Sequence, residues 1–169
     1  SVYSLIYYRL KGRQQYIGDF LYKTSSLRKN GGFYDIPMAW GSDDITCYIS
    51  AMDKGIANTQ TPVFLYRKTN ITLSKSGNMQ IQMEGINKTV DWLKKFLERK
   101  PIQEIDTLYY CKIKKTLEKY TRTRKIATIN KDLSYNGLAN IFFWIFNMKK
   151  YNIKRTDIIK STLLFLTRK

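Results

Sequence analysis

An α+β fold rich in helix is what this sequence predicts, on two observations. Short runs of β-forming residues separated by turns fill the first 78 positions, whereas from Met79 onward apolar residues recur at helical spacing almost to the end. The organisation divides into residues 1–78, with a few short strands, and residues 79–169, a helical C-terminal region. A content of 43% hydrophobic and 14% aromatic residues is enough to bury a core, which argues against intrinsic disorder.

Val2 to Tyr8, rich in Val, Ile, Leu and Tyr, predicts a strand closed by the turn Lys11, Gly12, Arg13. Phe20 to Lys23 predicts a second, shorter one. Ser25 to Asn30 suits a helical turn that the Gly31-Gly32 pair ends, because glycine reaches the positive φ of a helix terminus. After Asp44 the positions Ile45, Tyr48, Ile49 and Met52 share one helix face, and Gly55 sits where that helix would stop. Pro62 to Tyr66 predicts a buried strand, and the polar segment from Lys68 to Asn78 a loop.

In the second region Met79, Met83, Ile86, Val90, Leu93 and Leu97 form one apolar face, and Lys100-Pro101 breaks that helix. A further helix is expected from Ile102 to Tyr120, with Ile105, Tyr109, Ile113 and Leu117 toward the core. Two more are expected over Gly137 to Lys150 and Thr156 to Leu166.

Composition excludes several chemistries. There is no histidine, so His-ligated metals, Ser-His-Asp triads and imidazole proton shuttles are ruled out. A general base at neutral pH must then be a carboxylate or a perturbed Lys, Tyr or Cys. Cys47 and Cys111 match no metal-ligand spacing and read as reduced thiols in a cytoplasmic protein. The opening residues are too short and too interrupted by Arg9 and Lys11 for a signal peptide, and no window reaches the roughly 18 apolar residues of a spanning helix.

Thirty Lys and Arg against 13 Asp and Glu leave a formal charge of +17, which draws the chain toward polyanions, anionic membrane or phosphorylated ligands. Residues 1–100 carry a net +7 and residues 101–169 a net +10, so the shorter part is the more basic.

The stretch Gly31 to Asp44, GGFYDIPMAWGSDD, carries the most chemistry. Paired glycines and a run of aromatics deliver Asp43 and Asp44 to a helix start, where the dipole favours negative charge. The pair reads in two ways. Ser42 or Asp43 can cap the helix, with Asp44 as a first-turn acid, or the carboxylates can form a site. A helix N-terminus makes a carboxylate a weaker base, and a second negative charge beside it works in the opposite direction.

The ordered pieces Gly31-Gly32-Phe33, Asp43-Asp44, Lys54-Gly55-Ile56, Pro62 to Arg67 and Thr69 to Ser74 resemble the C-terminal half of bacterial family 2 glycosyltransferases. The resemblance covers roughly residues 18–78. It implies the acceptor-side half of a GT-A-like α/β fold, followed here by the helical tail. It also implies transfer of a sugar from a nucleotide-sugar donor to a hydroxyl of a glycan or lipid-linked acceptor, with inversion. On this resemblance Asp44 takes the place of the general base and Asp43 that of its electrostatic partner. Arg67 takes that of a contact to the donor diphosphate, though it can equally pair with an acid at the core edge. Lys68, Thr69 and Asn70 stand where similar proteins often carry a histidine. Trp40 and Tyr34 flank the turn, where they can stack on an acceptor sugar or simply pack.

Such enzymes use a divalent metal, Mg or Mn, held by an Asp-x-Asp motif. No Asp-x-Asp occurs in this sequence, so no metal is expected in this portion. The chain also opens inside a strand-like segment without a start methionine. It therefore reads as a C-terminal fragment holding the acceptor side and the base, inactive by itself.

Two further expectations come from the basic tail. Lys112, Lys114, Lys115, Lys119, Arg122, Arg124 and Lys125 cluster around one helix end, which gives the alternative of a non-catalytic nucleic-acid-binding module. Leu138 to Met148 and Leu163 to Leu166 are apolar stretches beside lysines, suited either to the core of a small bundle or to peripheral contact with anionic membrane at the inner face of the cell membrane.

Overall fold

A computed structural model describes residues 1–52, 54–61 and 78–167. Every regular element among these residues is helical: α1 (Val2–Leu10), α2 (Thr24–Lys29), α3 (Ser42–Ala51), α4 (Met79–Phe96), α5 (Glu104–Asn136), α6 (Ile141–Phe146), α7 (Met148–Tyr151) and α8 (Arg155–Leu166), with short 3-10 turns between some of them. The expected α+β, GT-A-like half with a few short strands is therefore corrected to an all-helical architecture among the described residues.

The first predicted strand is helix α1. Its residues favour strands, but Val2, Leu5, Ile6 and Leu10 also fall on one helix face and are buried. Ser1 caps the helix, its Oγ accepting from the Ser4 N–H at 3.3 Å while Ser4 Oγ donates to the Ser1 carbonyl at 2.8 Å. Packing of that face against α5 outweighs a propensity difference worth only tenths of a kcal/mol per residue. Phe20 to Lys23 is chain without regular pairing between a 3-10 turn and α2. Pro62 to Tyr66 lies outside the described residues, as do Lys68 to Gly77 of the predicted loop.

Helix α5 organises the rest. Predicted to stop at Tyr120, it runs on to Asn136, 33 residues, or about 50 Å of axial rise. Helix α4 turns back on it through the connection containing Pro101, and Tyr110 Oη closes the hairpin by donating to the Leu97 carbonyl at 3.1 Å. Ile105, expected inside, is exposed at the start of α5, while Ile113 and Leu117 are buried.

Two apolar cores form along this spine. One joins α1 and α3 to the facing ends of α4 and α5 through Ile6, Tyr48, Leu93 and Ile113. The other joins the opposite halves of α4 and α5 to α6, α7 and α8 through Met83, Ile129, Trp144, Tyr151 and Ile158.

The segment expected as one helix over Gly137 to Lys150 is broken into a 3-10 turn, α6 and α7. A buried carboxylate sets the corner. Asp132 accepts from Trp144 Nε1 at 2.7 Å, from Asn136 Nδ2 at 2.7 Å, and from Asn140 Nδ2. Helix α8 is fixed to the spine by Arg122, whose Nε donates to Asp157 Oδ1 at 2.9 Å. No helix among the described residues is long and apolar enough to cross a membrane.

Candidate functional site

Where the two cores meet, the start of α3 faces α4 and α5 across a cleft of about 20 Å³. Trp40, Gly41, Asp44, Ile86, Thr89, Tyr120 and Arg124 line it. That volume holds about one water-sized group. It admits a hydroxyl and excludes a sugar ring.

The turn entering α3 is built by close backbone approach. Gly41, rather than Ser42 or Asp43 as expected, is the N-cap of α3, at φ +95°. A Cβ there would stand 2.5 Å from Thr89 Oγ1. Gly85 makes the matching concession on α4, since a Cβ would lie 2.6 Å from Trp40 Cβ and 2.9 Å from its carbonyl oxygen. Side chains freed from capping hold the preceding segment instead. Ser42 Oγ donates to the Tyr34 carbonyl, and the Tyr34 N–H donates to Thr46 Oγ1 at 3.0 Å.

Asp44 is 5% exposed and engaged on one side only. Its Oδ2 accepts from Arg9 Nε at 3.0 Å, and its Oδ1 is buried with no hydrogen-bond partner among the described residues. Burial pushes the Asp44 carboxyl above its ordinary value; the Arg9 guanidinium pulls it down, and Asp43 adds to the rise. Desolvation works to lower the Arg9 pKa, but Asp44 beside it more than offsets this, so the guanidinium holds its proton more firmly. Asp43 is less buried and accepts the Asp44 N–H on its Oδ1 at 2.9 Å.

Of the residues singled out from sequence, Asp44 and Trp40 line the cleft, and Asp43 adjoins it through the chain. Tyr34 is exposed and does not line it, although its backbone anchors the turn. Arg67 lies outside the described residues. Sequence reasoning missed Arg9, Gly85, Thr89 and Tyr120, and placed Arg124 only in the basic cluster. Arg9 was concealed by the strand expected for α1, and Gly85 carried a signal, because a glycine inside an amphipathic helix costs roughly 1 kcal/mol without a packing reason.

The nearby thiol is not activated. Cys47 is buried behind Asp44 and its thiol is pushed up to about 12 by burial and by the two carboxylates, so it is no thiolate nucleophile. Among the described residues no group of three or more His, Cys, Asp or Glu side chains could hold a metal ion. The Asp43–Asp44 pair does not fit one, with one oxygen of Asp44 held by Arg9 and one of Asp43 by a backbone N–H.

Part of the basic cluster on α5 is committed to the fold. Lys125 is buried and donates to the Tyr151 and Asn152 carbonyls at 2.8 and 2.7 Å, and burial pushes it down to about 8. Arg122 pairs with Asp157. Lys112, Lys114 and Arg124 lie over the rings of Tyr7, Tyr110 and Tyr120. A scan against protein-family models finds no match to this chain, and searches of curated proteins and of solved structures find none either.

Proposed function

We propose that the chain carries the acceptor side of a sugar transferase, with Asp44 as the general base. The carrying observation is the half-satisfied carboxylate. Arg9 fixes one oxygen, and the other is buried and unpartnered on a side chain lining a slot the size of a hydroxyl. In the reaction the acceptor oxygen attacks the anomeric carbon as its proton passes to Asp44. The bond from that carbon to the nucleotide diphosphate breaks, with inversion. Burial raises the affinity of Asp44 for that proton and outweighs the opposing pull of Arg9, while the ion pair keeps the carboxylate in one orientation.

The reading rests on the site and the ordered sequence pieces, since the described helices supply no fold-level support. It needs nucleotide and metal ligands beyond the described residues, and it keeps Arg67 as a diphosphate contact and Trp40 as an acceptor contact. The nucleic-acid alternative loses two members of its basic cluster to the fold, Arg122 to the Asp157 carboxylate and the buried Lys125 to backbone carbonyls.

The test is Asp44→Asn in the natural full-length polypeptide, assayed with a panel of nucleotide-sugar donors for transfer and, separately, for donor binding. Asn retains an acceptor for Arg9, so the fold is kept. Transfer should fall by roughly 10²- to 10⁴-fold with donor affinity unchanged; turnover near the wild-type rate would overturn Asp44 as the base.

A further inference from the structure

Helices α6 and α8 leave between them an apolar groove of about 460 Å³, lined by Ile141, Ile145, Ile158, Ile159 and Leu163, with Arg155 at its edge. On the same two helices Phe142, Phe146, Leu164 and Leu166 are also exposed, Phe146 to 83%. A soluble monomer rarely leaves so continuous an apolar surface uncovered.

Charge selects the occupant. Residues 137–169 contain seven Lys and Arg and a single acid, Asp157. That acid is buried and already paired with Arg122, so it does not neutralise the surface. Arg155, Ile159 and Leu163 follow one another at four-residue spacing along α8, which sets a cation in line with the apolar stripe. Lys149, on α7 just beyond α6, and Lys160 on α8 are exposed as well. A second copy of a chain of formal charge +17 would bring like charges together across this face. An anionic bilayer instead receives the apolar side chains at its acyl boundary and the cations among its headgroups.

We infer that the α6–α8 face docks the protein peripherally on an anionic lipid surface, its apolar side chains inserted and its lysines and arginines at headgroup level. The inference is independent of the sugar-transfer reading.

Co-sedimentation of the natural full-length polypeptide with vesicles of phosphatidylcholine alone, or of phosphatidylcholine with an equal part of phosphatidylglycerol, tests it. Binding to the anionic vesicles should exceed binding to the neutral ones roughly tenfold or more, and should weaken as salt is raised. Phe142→Ser combined with Phe146→Ser, and Lys149→Glu combined with Lys160→Glu, should each lower anionic partitioning about tenfold or more. These positions are exposed, and circular dichroism checks that the helices persist. Leu21→Ser, at a fully exposed leucine far along the chain, should change nothing. Equal partitioning into both vesicles overturns the inference, as does a dimer in sedimentation velocity that the phenylalanine variant dissociates while no vesicle binding is seen.

Discussion

Two buried carboxylates, one at the seam between the two cores and one at the corner between α5 and α6, have been given different surroundings. Asp132 at the corner between α5 and α6 receives three side-chain donors, and Asp44 at the start of α3 receives one guanidinium and keeps an oxygen unpartnered. An acid buried with its hydrogen bonds complete is a fixed joint, because every donor around it would be orphaned by its loss. An acid buried with a bond to spare holds less of the fold and more unused chemistry. On the proposed function, the contrast separates a residue kept for architecture from one available to a substrate.

The largest effect should come from breaking the satisfied member. Asp132→Ala strands the Trp144 N–H in a fully buried position and should cost about 3 kcal/mol in urea unfolding, with the near-ultraviolet signal of the tryptophan altered. Next comes the turn that presents Asp44. Gly85→Ala puts a methyl group against the backbone and side chain of Trp40 and should cost about 2 kcal/mol, with transfer lost along with the cleft geometry.

Asp44→Asn should alter stability by less than about 1 kcal/mol, since the exchange of an ionised for a neutral partner of Arg9 roughly offsets the relieved burial of charge. A loss as large as that of Asp132→Ala would erase the distinction between the two sites. The smallest effect is a titration. Arg9→Met removes the cation that opposes burial, so the Asp44 pKa, followed by carboxyl-carbon NMR, should rise further.

The sign for stability follows. With a folded value above the unfolded one, the folded protein holds this proton where the unfolded chain has released it. The contribution of Asp44 is complete below the unfolded value and is lost as pH rises through the folded one. Arg9→Met should extend that loss to higher pH in thermal melts.

The helical region was readable because its pattern is long and regular. All six positions assigned to the inner face of α4, from Met79 to Leu97, are buried, and α8 begins within one residue of its expected start. The acidic pair was placed in the first turn of α3, where it lies. The strand predicted for Val2 to Tyr8 failed for a physical reason. A short run rich in bulky apolar and tyrosyl side chains suits a strand by propensity and, with Val2, Leu5, Ile6 and Leu10 on one face, a helix by spacing, and the choice belongs to the partner helix, which local sequence does not reveal. The cleft was hidden for a related reason. Its walls come from residues 40–44, 86–89 and 120–124, which only the α4–α5 hairpin brings together.

The continuity of α5 has a consequence for motion. The cleft sits at the seam between two cooperative units that share a single rod, so it is protected only while both remain closed. Amide hydrogens around Thr89 and Tyr120 should exchange at the rate set by whichever unit opens more readily. A ligand seated against Asp44 would then slow exchange in both halves at once, joining the two ends of the molecule through one helix.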